Sequence, residues 1–552
     1  MAVIRELSDS SGRCETTRSH LEQLDCREPE RNSELVPPST GGMTLARRLS
    51  HLPLLSAPQA LASSASQASQ VAVFNTSVAP RIQPALAYEE EFYTAPAPRV
   101  SALPPFSRLC FNDPQQCFAA KGTADLARSL AVLRFCGLKP FVANAEWLFN
   151  SSKQVLGERL VNGVVKGTFF RQFCAGETSE DIQPTLAFLR RNGVSYCLNF
   201  SGEADVDEQA GPCTTDAENC PEELERDAIA QRFLNDLNRA NNVDMTGFVA
   251  IKVSALGPPN LLEAIAAHLA SRGDPCNRGQ ASADLRSQLQ TVLSAEDLRA
   301  FERMLGRLHL LAKRCHDKGN MRMMVDAEQS YMQPAIDALV IHLQQHYNRT
   351  APTVFNTYQC YLRDAPMRVW NDLERARKEG WCFGAKTVRG AYMHVERARA
   401  QQLGYADPIW PDIDATHHSY NRCVAEVLDR AQGEGAELMV ASHNQESVEL
   451  ALEKMHSLHM PRSSGVYFGT LLGMADHLAL TLGGAGYRAY KMVPYGPVEA
   501  SMAYLLRRAL ENSDMLGGCQ KELVMMQTEI LRRMKSRVGL SDSGKAVAWN
   551  EM

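Results

Sequence analysis

The chain has 552 residues, 45% of them apolar and 22% charged, with a formal net charge of −5. This suits a globular protein with a large core, and nothing in the slightly acidic balance suggests nucleic acid as a partner. The 15 cysteines include no C-x-x-C pair, which argues against a zinc site or a disulfide framework, and no apolar run is long enough to cross a bilayer.

The N-terminal part is unusual. No acidic residue occurs between Glu34 and Glu89. Within that gap, Met43 to Leu55 is basic and apolar, and Ser- and Ala-rich sequence follows as far as Ala79. Acid-poor, Arg-bearing, Ser-rich sequence is the pattern of a mitochondrial targeting segment. Residues before Met43 carry Glu6, Asp9, Glu15 and Glu22 and fit that pattern poorly, so a start near Met43 is expected. Residues 1–100 are read as a disordered leader; an ordinary leader without targeting function is the alternative.

Residues 101–195 read as a helical N-terminal region, with Leu126, Leu130 and Leu133 on one amphipathic stretch and Ile182, Leu186 and Leu189 on another. Eight short apolar runs follow, separated by helical segments. They are Tyr196–Phe200, Phe248–Val253, Met321–Asp326, Val354–Tyr358, Phe383–Val388, Leu438–Ser442, Val466–Phe468 and Arg488–Val493. Strands alternating with helices imply a parallel sheet, and eight such units predict an α/β fold, a (βα)8 barrel over 196–515. A helical insertion is expected at about 257–320, and a C-terminal helix and tail over 516–552. A doubly wound sheet is the alternative, but no G-x-G-x-x-G follows any strand.

Barrel chemistry sits at the C-terminal ends of strands. There the sequence places Glu203, Lys252, Asp326, Glu328, Gln359, Lys386, Arg389, Tyr392, His443 and Asn444. Singly, each has a plainer reading: an edge lysine, an N-cap aspartate, a hydrogen-bonded histidine. Beyond the last strand, Tyr504, Arg507, Arg508 and Glu511 share one helix face. Two arginines beside a tyrosine suit a small carboxylate, which a guanidinium holds bidentately. The plainer reading there is a solvated face with an Arg507–Glu511 pair. No metal site is expected: His342 and His346 stand four apart, but Leu343 occupies the place of the zincin glutamate.

Taken in order, several segments resemble proline dehydrogenase. They are Ile251-Lys252-Val-Ser-Ala-Leu256, Met324-Val-Asp326-Ala-Glu328, Val354-Phe-Asn356-Thr-Tyr-Gln359 and Lys386-Thr-Val388-Arg389-Gly-Ala391-Tyr392. To these are added Ala441-Ser-His443-Asn444, Tyr467-Phe-Gly-Thr-Leu471-Leu-Gly-Met474 and Tyr504-x-x-Arg507-Arg508-x-x-Glu511-Asn512. The resemblance implies a TIM-type barrel that binds FAD without a Rossmann domain. It implies oxidation of L-proline to Δ1-pyrroline-5-carboxylate, with hydride passing from C5 to flavin N5. A membrane quinone would then accept the electrons, from an enzyme peripherally attached on the matrix side of the mitochondrial inner membrane.

It also implies roles. Arg507, Arg508 and Lys252 would hold the substrate carboxylate. Tyr504 and Tyr392 would wall the pocket, with Leu471 and Ala391 as apolar contacts, and Asp326 would orient Lys252 or the amine. Glu203 would pair with Arg507 as a gate, and Glu511 would belong to the same substrate side. Asn356, Gln359, Lys386, Val388, Arg389, His443 and Asn444 fall where the family contacts FAD, and Thr416 and Tyr420 match a weaker cofactor-side motif. Two positions depart from the pattern. Met492 stands where proline-specific relatives have tyrosine and the hydroxyproline-oxidising branch has serine, and Thr387 stands where leucine is usual. The alternatives are a hydroxyproline dehydrogenase, a barrel lyase using Lys252 as a Schiff base, and a non-catalytic scaffold.

Overall fold

The computed structural model describes residues 109–200, 220–239, 246–271, 285–514 and 516–537. The leader and Glu203 lie outside them. Seven helices come first: α1 (Pro114–Cys117), α2 (Thr123–Cys136), α3 (Lys139–Ala143), α4 (Ala145–Leu156), α5 (Glu158–Val165), α6 (Arg171–Phe173) and α7 (Ser179–Arg191). Thr178 and Asp181 close a reciprocal capping box at the start of α7.

Eight parallel strands then form a closed barrel in sequence order. The first half runs β1 (Val194–Phe200), α8 (Pro221–Arg239), β2 (Gly247–Ile251), α9 (Pro259–Ser271), α10 (Leu285–Gln290), α11 (Ala295–Lys318), β3 (Met321–Val325), α12 (Gln333–Tyr347) and β4 (Val354–Gln359). The second runs α13 (Ala365–Glu379), β5 (Gly384–Val388), α14 (Met393–Leu403), α15 (Ile413–Glu434), β6 (Glu437–Ala441), α16 (Gln445–Ser457), β7 (Val466–Leu471), α17 (Asp476–Gly484) and β8 (Ala489–Tyr495). Helices α18 (Met502–Asp514) and α19 (Leu516–Arg537) close the chain. The eight expected strands are all present, and α9, α10 and α11 fill the expected insertion.

Each strand buries both faces, so each reads as a near-continuous apolar run. The inward set is Cys197, Phe248, Ala250, Met324, Phe355, Met439, Tyr467 and Tyr490. Phe248 sits at its centre, edge to face with Phe355 at 5.5 Å, Tyr467 at 4.9 Å and Tyr490 at 5.1 Å. Such pairs add about 0.5–1.5 kcal/mol each beyond area burial. Below this layer the barrel floor is polar. Arg322 reaches Glu437 at 3.2 Å, and Tyr467 donates to Glu437 at 2.9 Å. The outward residues pack under the helices in two larger cores.

The N-terminal helices are clamped to the end of the chain. Buried Asp476 pairs with Lys121 at 2.5 Å and Lys491 at 2.7 Å. Burial pushes this carboxyl up, but the two ammonium groups overcome it, and it stays well below the usual carboxylate range. The Glu522 carboxylate on α19 accepts the Ala475 and Asp476 N–H groups at 3.0 and 2.8 Å, at the positive end of α17. Arg533 donates to the Lys121 and Phe118 carbonyls at 2.6 and 2.8 Å. Replacing Asp476 with Ala would strand two buried cations. The expected loss is about 3–5 kcal/mol, read as a fall in the urea midpoint.

Candidate active site at the barrel mouth

Inward parity carries polar side chains to the C-terminal ends of β2 to β5. Lys252 follows β2 and Asp326 follows β3, continuing the inward columns of Ala250 and Met324. Lys386 lies within β5, buried, and its Nζ donates to Asp326 Oδ1. Asp326 therefore engages Lys386 rather than Lys252, which was one of its two expected partners, the other being the substrate amine. Lys252 has no hydrogen bond or ion pair among the described residues. Behind it, the buried Glu328 carboxylate accepts the Ser254 N–H at 3.0 Å and the Ser254 hydroxyl. Burial pushes this carboxyl up, and the Ser254 bonds offset only part of that. Gln359 donates to the Glu328 carbonyl at 2.8 Å and accepts the Ala391 N–H at 3.3 Å. Between Arg389 and Ala391, Gly390 has φ +142°, and a Cβ there would lie 2.4 Å from the Tyr361 ring. Only glycine lets this turn deliver Ala391 and half-buried Tyr392 to the rim.

On the next arc, Arg389 is held by neutral groups. It donates to His417 Nδ1 at 2.9 Å, Ser442 Oγ at 2.8 Å and Ser447 Oγ at 2.9 Å. Its guanidinium lies 4.5 Å from the Tyr420 ring centroid. No carboxylate pairs with it among the described residues, and burial pulls its pKa down. A fixed cation without a counter-charge is suited to an anionic ligand. His417, Ser442 and Ser447 were not singled out for this from the sequence; their spacing gives no sign that they converge on one guanidinium. Asn444 caps α16, accepting the Ser447 N–H at 2.8 Å. His443 accepts the Leu471 N–H at Nε2, 3.0 Å, which places its ring proton on Nδ1. Burial pulls its pKa down to about 3, helped by the positive charges of Lys491, Arg508 and Arg389.

Helix α18 completes the mouth. Tyr504 packs in one apolar cluster with Met474 and Leu471. Its buried hydroxyl has no hydrogen-bond partner, and burial pushes its pKa up. Arg508 lies 5.0 Å from the Tyr504 ring centroid and pairs with Glu511 at 2.6 Å, yet its buried Nε has no partner. Among the described residues Glu511 thus pairs with Arg508, not with Arg507. Glu511 is itself pushed up by burial. Met492 is opposite Leu471 in the β7–β8 register and packs against the inward layer.

Other expected site residues stand elsewhere. Asn356 has outward parity: its amide donates to Asp337 on α12 at 3.1 Å, so it does not join the mouth. Thr387 is fully buried and shares outward parity with Ala385, so it alters no inner wall. Val388 ends β5, half-buried. Thr416 donates to the Asp412 carbonyl at 3.1 Å, and buried Tyr420 supports Arg389 from below. Among the described residues nine cysteines are free thiols and Cys220 is disulfide-bonded, which cysteine spacing did not suggest.

Residues 182–521, which include the described mouth residues from Lys252 to Glu511, match the family model described as proline dehydrogenase. The chain belongs to the proline dehydrogenase family. It is 35% identical to human proline dehydrogenase 1, mitochondrial, over 78% of this chain and 91% of that one. It is 36% identical to mouse hydroxyproline dehydrogenase, over 76% and 93%. Among solved structures, proline utilization A from Bdellovibrio bacteriovorus aligns with a TM-score of 0.50 at 20% identity. That match covers 71% of this chain but only 37% of the larger one, and it bears on the fold alone.

The His443 imidazole titrates near 6.5 when unfolded and about 3 when folded. The unfolded chain holds more protons between these values. The stability contribution is therefore complete above about pH 6.5 and lost as pH falls toward 3. In His443→Gln, denaturation midpoints should fall less steeply than in the parent as pH drops from about 7 to 4. Parallel curves would show that this ring does not titrate in that way.

Proposed function

We propose that this oxidoreductase converts L-proline to Δ1-pyrroline-5-carboxylate, using FAD and passing electrons to a membrane quinone. The observation that carries the reading is on α18: a buried tyrosine hydroxyl and a buried guanidinium N–H, both without partners, on one helix face. Each unpaired group costs about 1–3 kcal/mol, and a bound carboxylate would relieve the guanidinium. Arg507, Arg508 and Lys252 are the cations for that carboxylate, and Tyr504, Tyr392, Leu471 and Ala391 the walls around the ring.

The residues fit FAD. Arg389, held only by neutral acceptors, suits a pyrophosphate, and the Nδ1–H of neutral His443 is a donor. Gln359, Lys386, Val388 and Asn444 complete the expected contacts, with Thr416 and Tyr420 behind them. When bound, FAD supplies the acceptor for the hydride, which leaves C5 with its electron pair. The nitrogen lone pair forms the C=N bond, so the amine must be neutral at that moment. Lys252, Lys386, Arg507 and Arg508 disfavour a further positive charge and so favour loss of the amine proton to water. No strong base is then required; positioning and electrostatics carry the reaction.

Met492 supports hydroxyproline as a second substrate. It has the inward parity of the barrel and faces Leu471, and an unbranched thioether can yield space but offers no good hydrogen bond. Sequence identity does not separate the two substrates, since relatives of both kinds lie at about 35%. The targeting-like segment and the mitochondrial relatives favour a mitochondrial enzyme, and a quinone acceptor favours the matrix side of the inner membrane.

The test is the visible spectrum of the purified protein before and after L-proline. A flavin spectrum bleached by proline is expected; a folded protein that stays colourless and takes up no added FAD would overturn the reading. Arg508→Met should raise KM for proline about 10- to 150-fold with a smaller change in kcat. Met492→Ser should raise the hydroxyproline-to-proline ratio of kcat/KM about tenfold, by giving the hydroxyl a partner.

A further inference from the structure

Helices α4 and α5 rest on the body of the protein with an apolar side left outward. Val155 is 81% and Trp147 67% exposed, and Leu156, Leu160 and Val164 are each more than half exposed. Gly157, at φ +85°, breaks the helix between α4 and α5, so Val155 and Leu156 end one arm of a corner and the i,i+4 pair Leu160 and Val164 lies on the other. Scattered apolar residues on a surface need no explanation, but five in eighteen residues of one helical corner do.

The charge around this corner is opposite to that of the whole. Residues 139–171 hold five basic and two acidic residues in a chain of net charge −5. Lys153 pairs with Glu158, and Lys166 with Glu177. Lys139, Arg159 and Arg171 are exposed and have no ion pair among the described residues. An outward apolar ridge with an indole and unpaired cations beside it suits the interface of an anionic bilayer.

We propose that the α4–α5 corner is the surface by which this protein docks on anionic lipid. The idea rests on the reading that the electron acceptor is a membrane quinone, and it says where the protein meets that membrane. Position supports it. Asn162 on α5 donates to Glu499 at 2.6 Å, in the segment joining β8 to α18. The segment after α5 continues into α6, where Gln172 donates to the Gly473 carbonyl at 2.7 Å, just beyond β7. The ridge thus borders the barrel mouth, and docking it would bring the mouth to the bilayer where a lipid-soluble acceptor resides. Near the basic Lys535 and Arg537 at the end of α19, exposed Val524, Leu531 and Met534 make a sparser apolar row, three in eleven residues against five in eighteen, none of them exposed as far as Trp147 or Val155.

The test uses the full chain with vesicles of phosphatidylcholine, with and without cardiolipin, containing ubiquinone. Flotation should show binding that needs cardiolipin and weakens with salt. Leu160→Glu with Val164→Glu should lower vesicle affinity about tenfold or more, and Val155→Asp should act in the same direction. Both should slow quinone reduction in vesicles while dye-linked proline oxidation stays within about twofold. Failure of the parent to bind vesicles, or unchanged binding by the variants, overturns the docking surface. So does loss of a dimer in the variants without loss of lipid binding, which would make the ridge a contact between copies. A chain that floats with vesicles but shows no dye-linked oxidation would instead overturn the functional reading and leave the surface standing.

Discussion

Closing a parallel sheet leaves no strand with a free face. Both sides of every strand in this barrel are covered, so its strands are mostly apolar, and the polar groups open to a ligand gather at the ends of the inward columns. At the lower end, Arg322, Glu437 and Tyr467 satisfy one another. Above them a layer of edge-to-face rings fills the interior. The upper end then receives what the strands carry at or near their C-terminal ends: Lys252, Asp326, Gln359, Lys386 and His443. The position of the site follows from closure of the sheet.

What distinguishes the upper end from the floor is incomplete charge balance. Lys386 has Asp326 and Arg508 has Glu511. Lys252 and Arg389 have no such acid among the described residues. Instead, Arg389 is positioned by two serines and a neutral histidine, an arrangement that fixes direction without cancelling charge. Neutrality of His417 and His443 is part of this: burial and nearby cations hold both imidazoles below their usual range. A protonated His417 could no longer accept the Arg389 N–H and would repel the guanidinium it positions.

The strands were legible because a buried strand is a short apolar run bounded by polar residues, and each inferred run overlaps an observed strand. The rim residues were legible for the same reason, as polar residues that interrupt, end or directly follow such a run. Less legible was which way a residue inside a strand faces. Asn356 and Thr387 lie within motifs whose neighbours point inward, yet alternation turns both toward the helices. Partner choice was also hidden: Arg508 and Glu511 are three apart and Arg507 and Glu511 four, and helical spacing permits either pair. The cradle of Arg389 joins residues from three elements, and no local pattern announces it.

The clamp between the two ends of the folded chain bears on how the protein comes to exist. Lys121 reaches its aspartate 355 positions later, and Arg533 closes on carbonyls more than 410 positions before it. A chain emerging from the ribosome, or threading through a translocation pore, presents α1 and α2 first and α19 last. Until α17 arrives Lys121 lacks Asp476, and until α19 arrives the Phe118 and Lys121 carbonyls lack Arg533. The clamp therefore joins the segments made first to those made last, and it is complete only once α19 has emerged.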